Sequence, residues 1–392
     1  MNLLYVAPDI PVPHTGDFIG GTTHTLEIAK RLAELGNTVY IISRRMQGQR
    51  FFEKISEQVY TCRIYRGVIF PVKCGVTKKS EPNTKIKIIE NLYFSTVYRI
   101  FLMAAILTVA RKHHINIVLE RNSAKGAGVF SGRLLGIPSV VEVIDPDYNK
   151  LALRLCRKIF AYTTTILPPD VHSKTEITHA GVDAAVFRPM DGSEVRTEYN
   201  LNGSVVVYVG SMSAWHGAEH LIDVAARIKD MDVTFLMVGK DVEMLRSLAE
   251  EKGVLDRFVF TGFVPYADVP KYIAAADVAV APYDPAGVTD MEAHGFYFSP
   301  IKIFEYMACG KPVVASDVEI VRGIIRESRC GLLADPGGAG DFAEKIRYLI
   351  EDDDLMAESG KNGRAAVLER YSWKKVAEQI HMGLLSTGEL FD

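Results

Sequence analysis

Short apolar runs separated by helix-period patterns recur along nearly the whole chain. Residues 3–7 read as a buried strand, 23–35 as a helix and 39–43 as the next strand. Runs at 117–119, 139–143 and 164–167 extend this first series. A second series starts at 205–209 and continues through a helix near 218–228 to strands at 234–238, 258–261, 278–281 and 313–315. Strands alternating with helices call for parallel sheets joined by crossover helices. Two such series predict two doubly wound domains rather than one large sheet. The apolar run 101–110 is too short to span a bilayer; with Arg111 and Lys112 after it, it reads as a buried helix ending in positive charge. No repeat of solenoid length and no low-complexity tract interrupts the pattern.

The segment 299–316 carries the most chemistry. Ser299 suits a helix N-cap and Pro300 the first helical position, where its missing N–H costs nothing. Phe304, Met307 and Ala308 form an apolar face, and Glu305 sits among them, where a carboxylate is expensive without a partner. Gly310 stops the helix, and Val313-Val314-Ala315 reads as a buried parallel strand. A helix N-terminus at the rim of such a sheet is an anion site, and a carboxylate further along it can accept hydroxyl hydrogen bonds. The pattern points to a nucleotide held by its phosphates and its ribose.

Composition narrows the class. A length of 392 residues allows two ordinary domains, and 48% hydrophobic with 24% charged residues is the composition of a soluble globular protein. Cys62, Cys74, Cys156, Cys309 and Cys330 are scattered without metal-ligand spacing, which argues for reduced thiols and a cytoplasmic location. The N-terminus lacks a charged region before a long apolar core and reads as a strand, not a signal peptide. A net charge of −3 gives no reason to expect nucleic acid. Residues 44–87, however, hold eleven Lys or Arg against three acids, with aromatics among them. Such a segment could meet anionic headgroups or an anionic acceptor, or be a solvated basic face.

Several loops at strand ends add to the nucleotide reading. Gly20 and Gly21 precede a helix containing His24, and paired glycines there let backbone N–H groups approach phosphate. In the second series the turn after the first strand runs Gly210-Ser211 to His216-Gly217. His216 is a conditional cation, and Lys302, in the first turn of the helix after Ser299, offers a more permanent charge or is simply solvated. The stretch 262–265, which includes Val264, follows a strand end, and 238–240 ends another strand on the same rim. The polar loop 284–296 suits a lid. His113 and His114 read as a helix end.

These runs closely resemble the donor-binding signature of retaining glycosyltransferases of family 4, which have the GT-B fold. The resemblance implies an α/β architecture of two doubly wound, Rossmann-like parallel-sheet domains facing across a cleft. In the family, two glutamates seven residues apart flank the 299–310 helix and the second holds the donor ribose; Glu305 matches the second, and Tyr297 stands at the place of the first. The stretch 20–36 resembles the family's first loop and helix, whose glycines face the donor diphosphate. Family members place an Arg and a Lys in the turn matched by 208–217; here Met212 or Ser213 and His216 stand there, in a Trp-His-Gly version similar to one branch. The 262–265 stretch resembles the loop that lines the nucleobase. Residues 178–189 resemble the interdomain segment, with Ala180 where Asn is usual, and Tyr371-Ser-Trp373 the start of the last helix.

The resemblance implies domains at 1–173 (acceptor), 174–370 (nucleotide sugar) and 371–392 (a helix packing back on the first). It implies transfer from a UDP- or GDP-sugar to a hydroxyl of a glycan, lipid-linked or small-molecule acceptor, with retention and with neither metal nor cofactor. Donor contacts fall on Gly20, Gly21, Gly210, Ser211, His216, Gly217, Val264, Ser299, Ile301, Lys302 and Glu305. Many members carry a catalytic His where this chain has Ile144, flanked by Glu142 and Asp145, which become the candidate catalytic carboxylates. Glu120 and Arg121 resemble an acidic-Arg motif of the same branch; they would pair with each other, face the cleft, or form a salt bridge at the sheet edge. Peripheral association with the inner membrane face through 44–87 is a further expectation. Two rival readings remain: a non-catalytic GT-B partner subunit and a sugar-nucleotide epimerase.

Overall fold

The computed structural model describes residues 1–12, 20–46, 49–64, 97–212, 214–240, 242–286 and 288–387. The chain divides into two compact units, Met1–Thr178 with Ala377–Asp392, and His179–Val376. Most of the basic segment 44–87, including Cys74, lies outside the described residues. No helix among the described residues is long and apolar enough to cross a membrane. The four described cysteines are buried and free.

The first unit is built on a sheet of β1 (Asn2–Pro11), β2 (Thr38–Arg44), β3 (Phe52–Ser56), β4 (Val59–Ile64), β5 (Ile117–Arg121), β6 (Ser139–Val143), β7 (Lys158–Ala161) and β8 (Thr175–Ile177), in the order β3-β4-β2-β1-β5-β6-β7-β8. All neighbours are parallel except β3 and β4, which pair antiparallel at the edge. Leu3 to Ala7 are fully buried, as a continuous apolar run must be in a strand covered on both faces. The helix Gly20–Glu34 buries Ile28, Ala29, Leu32 and Ala33. The helix Tyr98–Lys112 buries Leu102, Ile106, Val109 and Ala110, one stripe at helical spacing. Only that stripe is covered: Ile100 and Phe101 are 63% and 59% exposed, so the expectation of a buried helix holds for one face.

The strand expected at 164–167 lies earlier in the chain, at β7. There Ile159 and Phe160 pair in register with Val141 and Glu142. In the threonine run that follows, the Thr165 N–H donates to the Thr163 hydroxyl at 3.1 Å. Such a local bond gives the backbone an alternative to a ladder. The hairpin β3–β4 inside the basic segment, the short β8 and β14 (Gly331–Ala334) carry too little apolar sequence to stand out.

The second unit holds β9 (Ser204–Val209), β10 (Val233–Val238), β11 (Phe258–Gly262), β12 (Val278–Ala281), β13 (Val313–Ser316) and β14, all parallel in the order β11-β10-β9-β12-β13-β14. Val206, Tyr208, Leu221, Phe235, Met237 and Ile346 belong to its core. In each unit the strand order reverses beside the first strand, between β1 and β5 and between β9 and β12. The connections there leave in opposite directions and open a crevice beyond the strands' carboxyl ends. Both candidate sites below sit at these points.

Within the first unit the part of the last helix, Trp373–Leu385, that follows Val376 packs closely on β7: a Cβ on Gly383 would come 2.4 Å from the Phe160 ring. Gly383→Val should therefore destabilise by ~1–3 kcal/mol through overpacking, although valine is the better helix former. Thermal unfolding and amide exchange over 377–387 check this. Unchanged melting would contradict the packing.

Candidate functional site

The crevice of the second unit is organised around a lysine. β9 ends at Val209, whose N–H donates to the Tyr306 hydroxyl at 2.8 Å. Gly210 follows with φ 142°, and a Cβ there would lie 2.9 Å from Lys302 Nζ. The glycine thus lets the amine come up against the turn backbone. Lys302 is 8% exposed. Its Nζ sits 4.2 Å from the centre of the Tyr208 ring and 5.4 Å from that of Tyr283. It also lies 3.0 Å from His216 Nδ1. An ammonium has no acceptor, so Nζ donates and the imidazole carries its proton on Nε2.

The charge states follow from burial. Burial pushes the Lys302 amine down to about 7, with the Glu305 carboxylate opposing. Burial, and then the Lys302 ammonium, push His216 down to about 3, so its ring is neutral near pH 7. The expectation of a cationic His216 gives way to a different arrangement. In the unliganded protein Lys302 is the cation at this turn, and His216 is the acceptor that aims it.

Glu305 follows Lys302 by three residues, on the same side of the helix Ile301–Ala308. It is buried, and the Tyr266 hydroxyl donates to its Oε1 at 2.9 Å. Burial raises this carboxyl to about 7, against the pull of the Tyr266 bond and of Lys302. The helix starts one residue later than expected. Pro300, with φ −83° and ψ 68°, is the cap residue and Ile301 the first helical one. Ser299 does not cap, because its Oγ accepts the Ala180 N–H at 3.0 Å instead.

The turn 214–217 closes the crevice on one side. Gly217 has φ 66°, and a Cβ there would come 1.8 Å from the Pro282 carbonyl oxygen, so no other residue fits without moving the backbone. The Asp284 N–H donates to the Trp215 carbonyl at 3.1 Å, and His220 Nε2 lies 2.8 Å from the Asp284 carboxylate. Trp215 stacks on Phe298 at 5.1 Å and on Tyr283 at 6.1 Å. Val264 is buried beyond β11, whereas its neighbour Phe263 is exposed with Lys240 Nζ 4.4 Å above its ring. Ser211 is exposed, and Tyr208 donates to its carbonyl at 2.5 Å.

In the first unit the expected residues separate. Adjacent strand residues point to opposite faces, so Glu120 and Arg121 do not pair with each other. Glu120 is buried and accepts the N–H groups of Gly126 at 2.5 Å and Val129 at 2.9 Å. Both oxygens of this candidate catalytic carboxylate are engaged at the start of the helix Ala127–Leu135, which it caps. Burial raises it to about 7 against those backbone bonds.

Arg121 lies in register with Glu142, on the face of Tyr5 and His24. Tyr5 donates to Glu142 at 2.6 Å, and His24 Nε2 lies 2.5 Å from its other oxygen. Burial pushes the Glu142 carboxyl up, but His24, Arg121 and Tyr5 together bring it down to about 2. Glu142 is therefore a buried anion with both oxygens engaged, so a direct contact with sugar would require breaking this network. Asp145 remains half-buried; its Oδ1 accepts from Asn122 at 2.7 Å and from the Asp147 N–H at 2.9 Å. Gly20 and Gly21 open the helix after β1, and a Cβ on Gly21 would lie 3.5 Å from Arg121 Nη2.

Sequence reading passed over Tyr208, Tyr266, Tyr283 and Tyr5. For Tyr5, Tyr208 and Tyr283 the available signal was a tyrosine in or just beyond an apolar strand, where its hydroxyl demands a partner; Tyr266, in the loop after β11, carried no such signal. Among the described residues no group of three or more His, Cys, Asp or Glu is set to hold a metal ion.

Residues 193–366 match the family model described as Glycosyl transferases group 1. An alpha-D-kanosaminyltransferase of Streptomyces kanamyceticus is 26% identical over 195 residues, 48% of this chain and 47% of its own. A D-inositol 3-phosphate glycosyltransferase of Acidothermus cellulolyticus is 29% identical over 222 residues, 53% and 47%. The chain spans about half the length of these curated relatives. Among solved structures, Anabaena HepE in complex with UDP matches with a TM-score of 0.71 at 20% identity, over 98% of this chain and 100% of the other. The shared fold is GT-B.

Glu120→Ala would leave two buried N–H groups without an acceptor, costing ~1–3 kcal/mol. The expected outcome is a lower melting temperature with ligand affinity unchanged. An intact melting temperature with lost binding would return Glu120 to the site.

Proposed function

We propose that this chain is a group 1 glycosyltransferase that moves a sugar from a nucleotide-diphosphate sugar to an acceptor hydroxyl, with retention at the anomeric carbon and without a metal ion. The observation that carries the reading is the pairing of a buried carboxylate and a buried ammonium on one helix beside the β9–β12 switch point. Glu305 would accept the ribose hydroxyls. Lys302, the N-terminus of its helix and the backbone of 210–211 and 217 would take the diphosphate. Ser299 and Ile301 lie beside that helix start, and the Val264 loop would line the base. UDP and GDP are the nucleotides proposed; the acceptor is a hydroxyl of a glycan, a lipid-linked sugar or a small molecule.

In the unliganded protein the Lys302 ammonium faces two tyrosine rings and a neutral imidazole, with no directly bonded anion. A diphosphate supplies that anion. As the bond from the anomeric carbon to the phosphate oxygen breaks, charge accumulates on that oxygen, and Lys302 stabilises it without rearrangement. The acceptor oxygen forms the new bond to the same carbon, and its proton passes to the departing phosphate. Gly20 and Gly21 of the first unit are proposed as further diphosphate contacts. Asp145 is the half-buried carboxylate nearest the place of the family's His, now Ile144. A second reading, a partner subunit without transfer, draws on Ile144 and on the sealed state of Glu142.

Calorimetric titration with UDP and GDP tests the donor site. One of them should bind, and Glu305→Ala should weaken it by roughly 10- to 150-fold, the ~1.5–3 kcal/mol of a hydrogen bond to a charged group. Failure of both to bind would overturn the reading. Binding without turnover of the matching sugar nucleotides would favour the partner subunit.

The pH dependence has a definite sign. Below about 7 Lys302 is protonated before the anion arrives; above it, binding must also take up a proton. Affinity should therefore fall with rising pH above about 7, by up to ~10-fold per unit. Lys302→Arg should flatten this limb to pH 9. An unchanged limb would show that Lys302 does not meet the phosphates.

A further inference from the structure

The crevice of the second unit begins at the turn after β9, and one buried side chain is bonded across that turn. Tyr208 is fully buried in β9, among valines that need no polar partner. Its hydroxyl is a polar group in an apolar sheet, and its hydrogen must find an acceptor. The acceptor is the Ser211 carbonyl, at 2.5 Å. The bond therefore ties the end of the strand to the backbone beyond Gly210.

Other groups hold the start of the turn. The Val209 N–H donates to the Tyr306 hydroxyl at 2.8 Å, and the Gly210 N–H to the Val238 carbonyl at 2.9 Å. The Gly210 carbonyl lies against Gly239, where a Cβ would come 2.0 Å from its oxygen. The peptide from Ser211 to Met212 is the next one, and the Tyr208 bond sets it. A trans peptide carries its C=O and N–H on opposite edges of one plane. Holding the carbonyl at the Tyr208 hydroxyl turns the Met212 N–H the other way, away from the buried ring.

The same side chain also places the cation. Lys302 Nζ sits 4.2 Å from the centre of the Tyr208 ring. A Cβ on Gly210 would lie 2.9 Å from Nζ and 3.5 Å from the Tyr208 hydroxyl oxygen. Ring, hydroxyl, turn and ammonium thus meet around one glycine. An aromatic face attracts an ammonium without taking a directed hydrogen bond from it, so donors remain for an anion.

We propose that Tyr208 is a positioning residue of the donor's diphosphate subsite: its hydroxyl aims the Met212 N–H, and its ring face holds Lys302 Nζ beside the same turn. Tyr208 acts through these two groups. The assignment rests on the transferase reading of this crevice.

The test is calorimetric titration of the full chain with UDP and GDP, from about pH 6 to pH 9, for the wild type, Tyr208→Phe and Tyr208→Leu. A parallel NMR titration with uridine and guanosine, which carry no phosphate, reports the nucleoside pocket alone. Tyr208→Phe keeps the ring and deletes the hydroxyl bond. It should bind the nucleoside diphosphate ~3- to 10-fold more weakly, the loss of one neutral hydrogen bond, and the nucleoside within about 2-fold of the wild type. Its affinity should fall with rising pH over the same range as the wild type's. Tyr208→Leu removes the ring as well. His216, Tyr283 and Glu305 still face Lys302, and Glu219 still lies by position 208, so the ammonium loses the Tyr208 face only. Its proton is then held less firmly, and the fall in affinity should begin about half a pH unit lower.

Equal binding of nucleoside diphosphate by the wild type and Tyr208→Phe overturns the proposal. Parallel loss of nucleoside and nucleoside diphosphate in Tyr208→Phe also overturns it, and makes Tyr208 a packing residue. An unmoved pH range in Tyr208→Leu overturns the role of the ring. Should Tyr208→Leu not fold, Tyr208→Phe decides, because it removes a single oxygen. Failure of the wild type to bind either nucleotide overturns the transferase reading and this assignment with it, whereas the other outcomes leave that reading standing.

Discussion

Lys302 carries a positive charge into the interior of the second unit, and much of the local architecture is arranged around that fact. Desolvating an ammonium costs several kcal/mol, which a cation–π contact of up to ~2 kcal/mol with Tyr208 offsets only in part. Gly210 gives it room, His216 gives it a lone pair, and Glu305 three residues along gives it a distant countercharge. The remaining deficit shows as an amine whose proton is held only to about pH 7. A site in this condition is prepared for an anion. Binding one restores what folding removed, so the energy of the contact appears where charge later develops.

The first unit repeats the topology with different chemistry. Its crevice also lies where strand order reverses beside the first strand, but the buried acid there is fully committed. Glu142 binds Tyr5 and His24 and holds Arg121 by charge alone. Along β5 the alternation of a strand sends Glu120 one way, to cap a helix, and Arg121 the other way, to the crevice. Two adjacent charged residues therefore have separate surroundings, Glu120 at a helix start and Arg121 beside Glu142.

The two-sheet architecture was legible because parallel strands covered on both faces are written as continuous apolar runs. Leu3 to Ala7 and Val205 to Val209 could hardly be anything else. What escaped were elements whose stability comes from their neighbours. β3 and β4 sit in a polar, basic segment, and β7 lay hidden before a threonine run with higher strand propensity. At the site, Glu305 and Lys302 stood out as charges in an apolar helix. Their partners Tyr266, Tyr208 and Tyr283 come from positions 19 to 94 residues away and become visible only when the sheet assembles. The neutral state of His216 is likewise a product of burial, which no spacing rule reports.

The position of a bound nucleoside diphosphate decides most directly whether Lys302 and Glu305 form the donor site. A crystal structure of the protein grown with UDP or GDP would show it. The expected density places the ribose hydroxyls on the Glu305 carboxylate and the diphosphate on Lys302 Nζ and the N–H groups of the 210–217 turn. A nucleotide bound elsewhere, or one bound here with its diphosphate out of reach of Lys302 Nζ, would contradict the central claim.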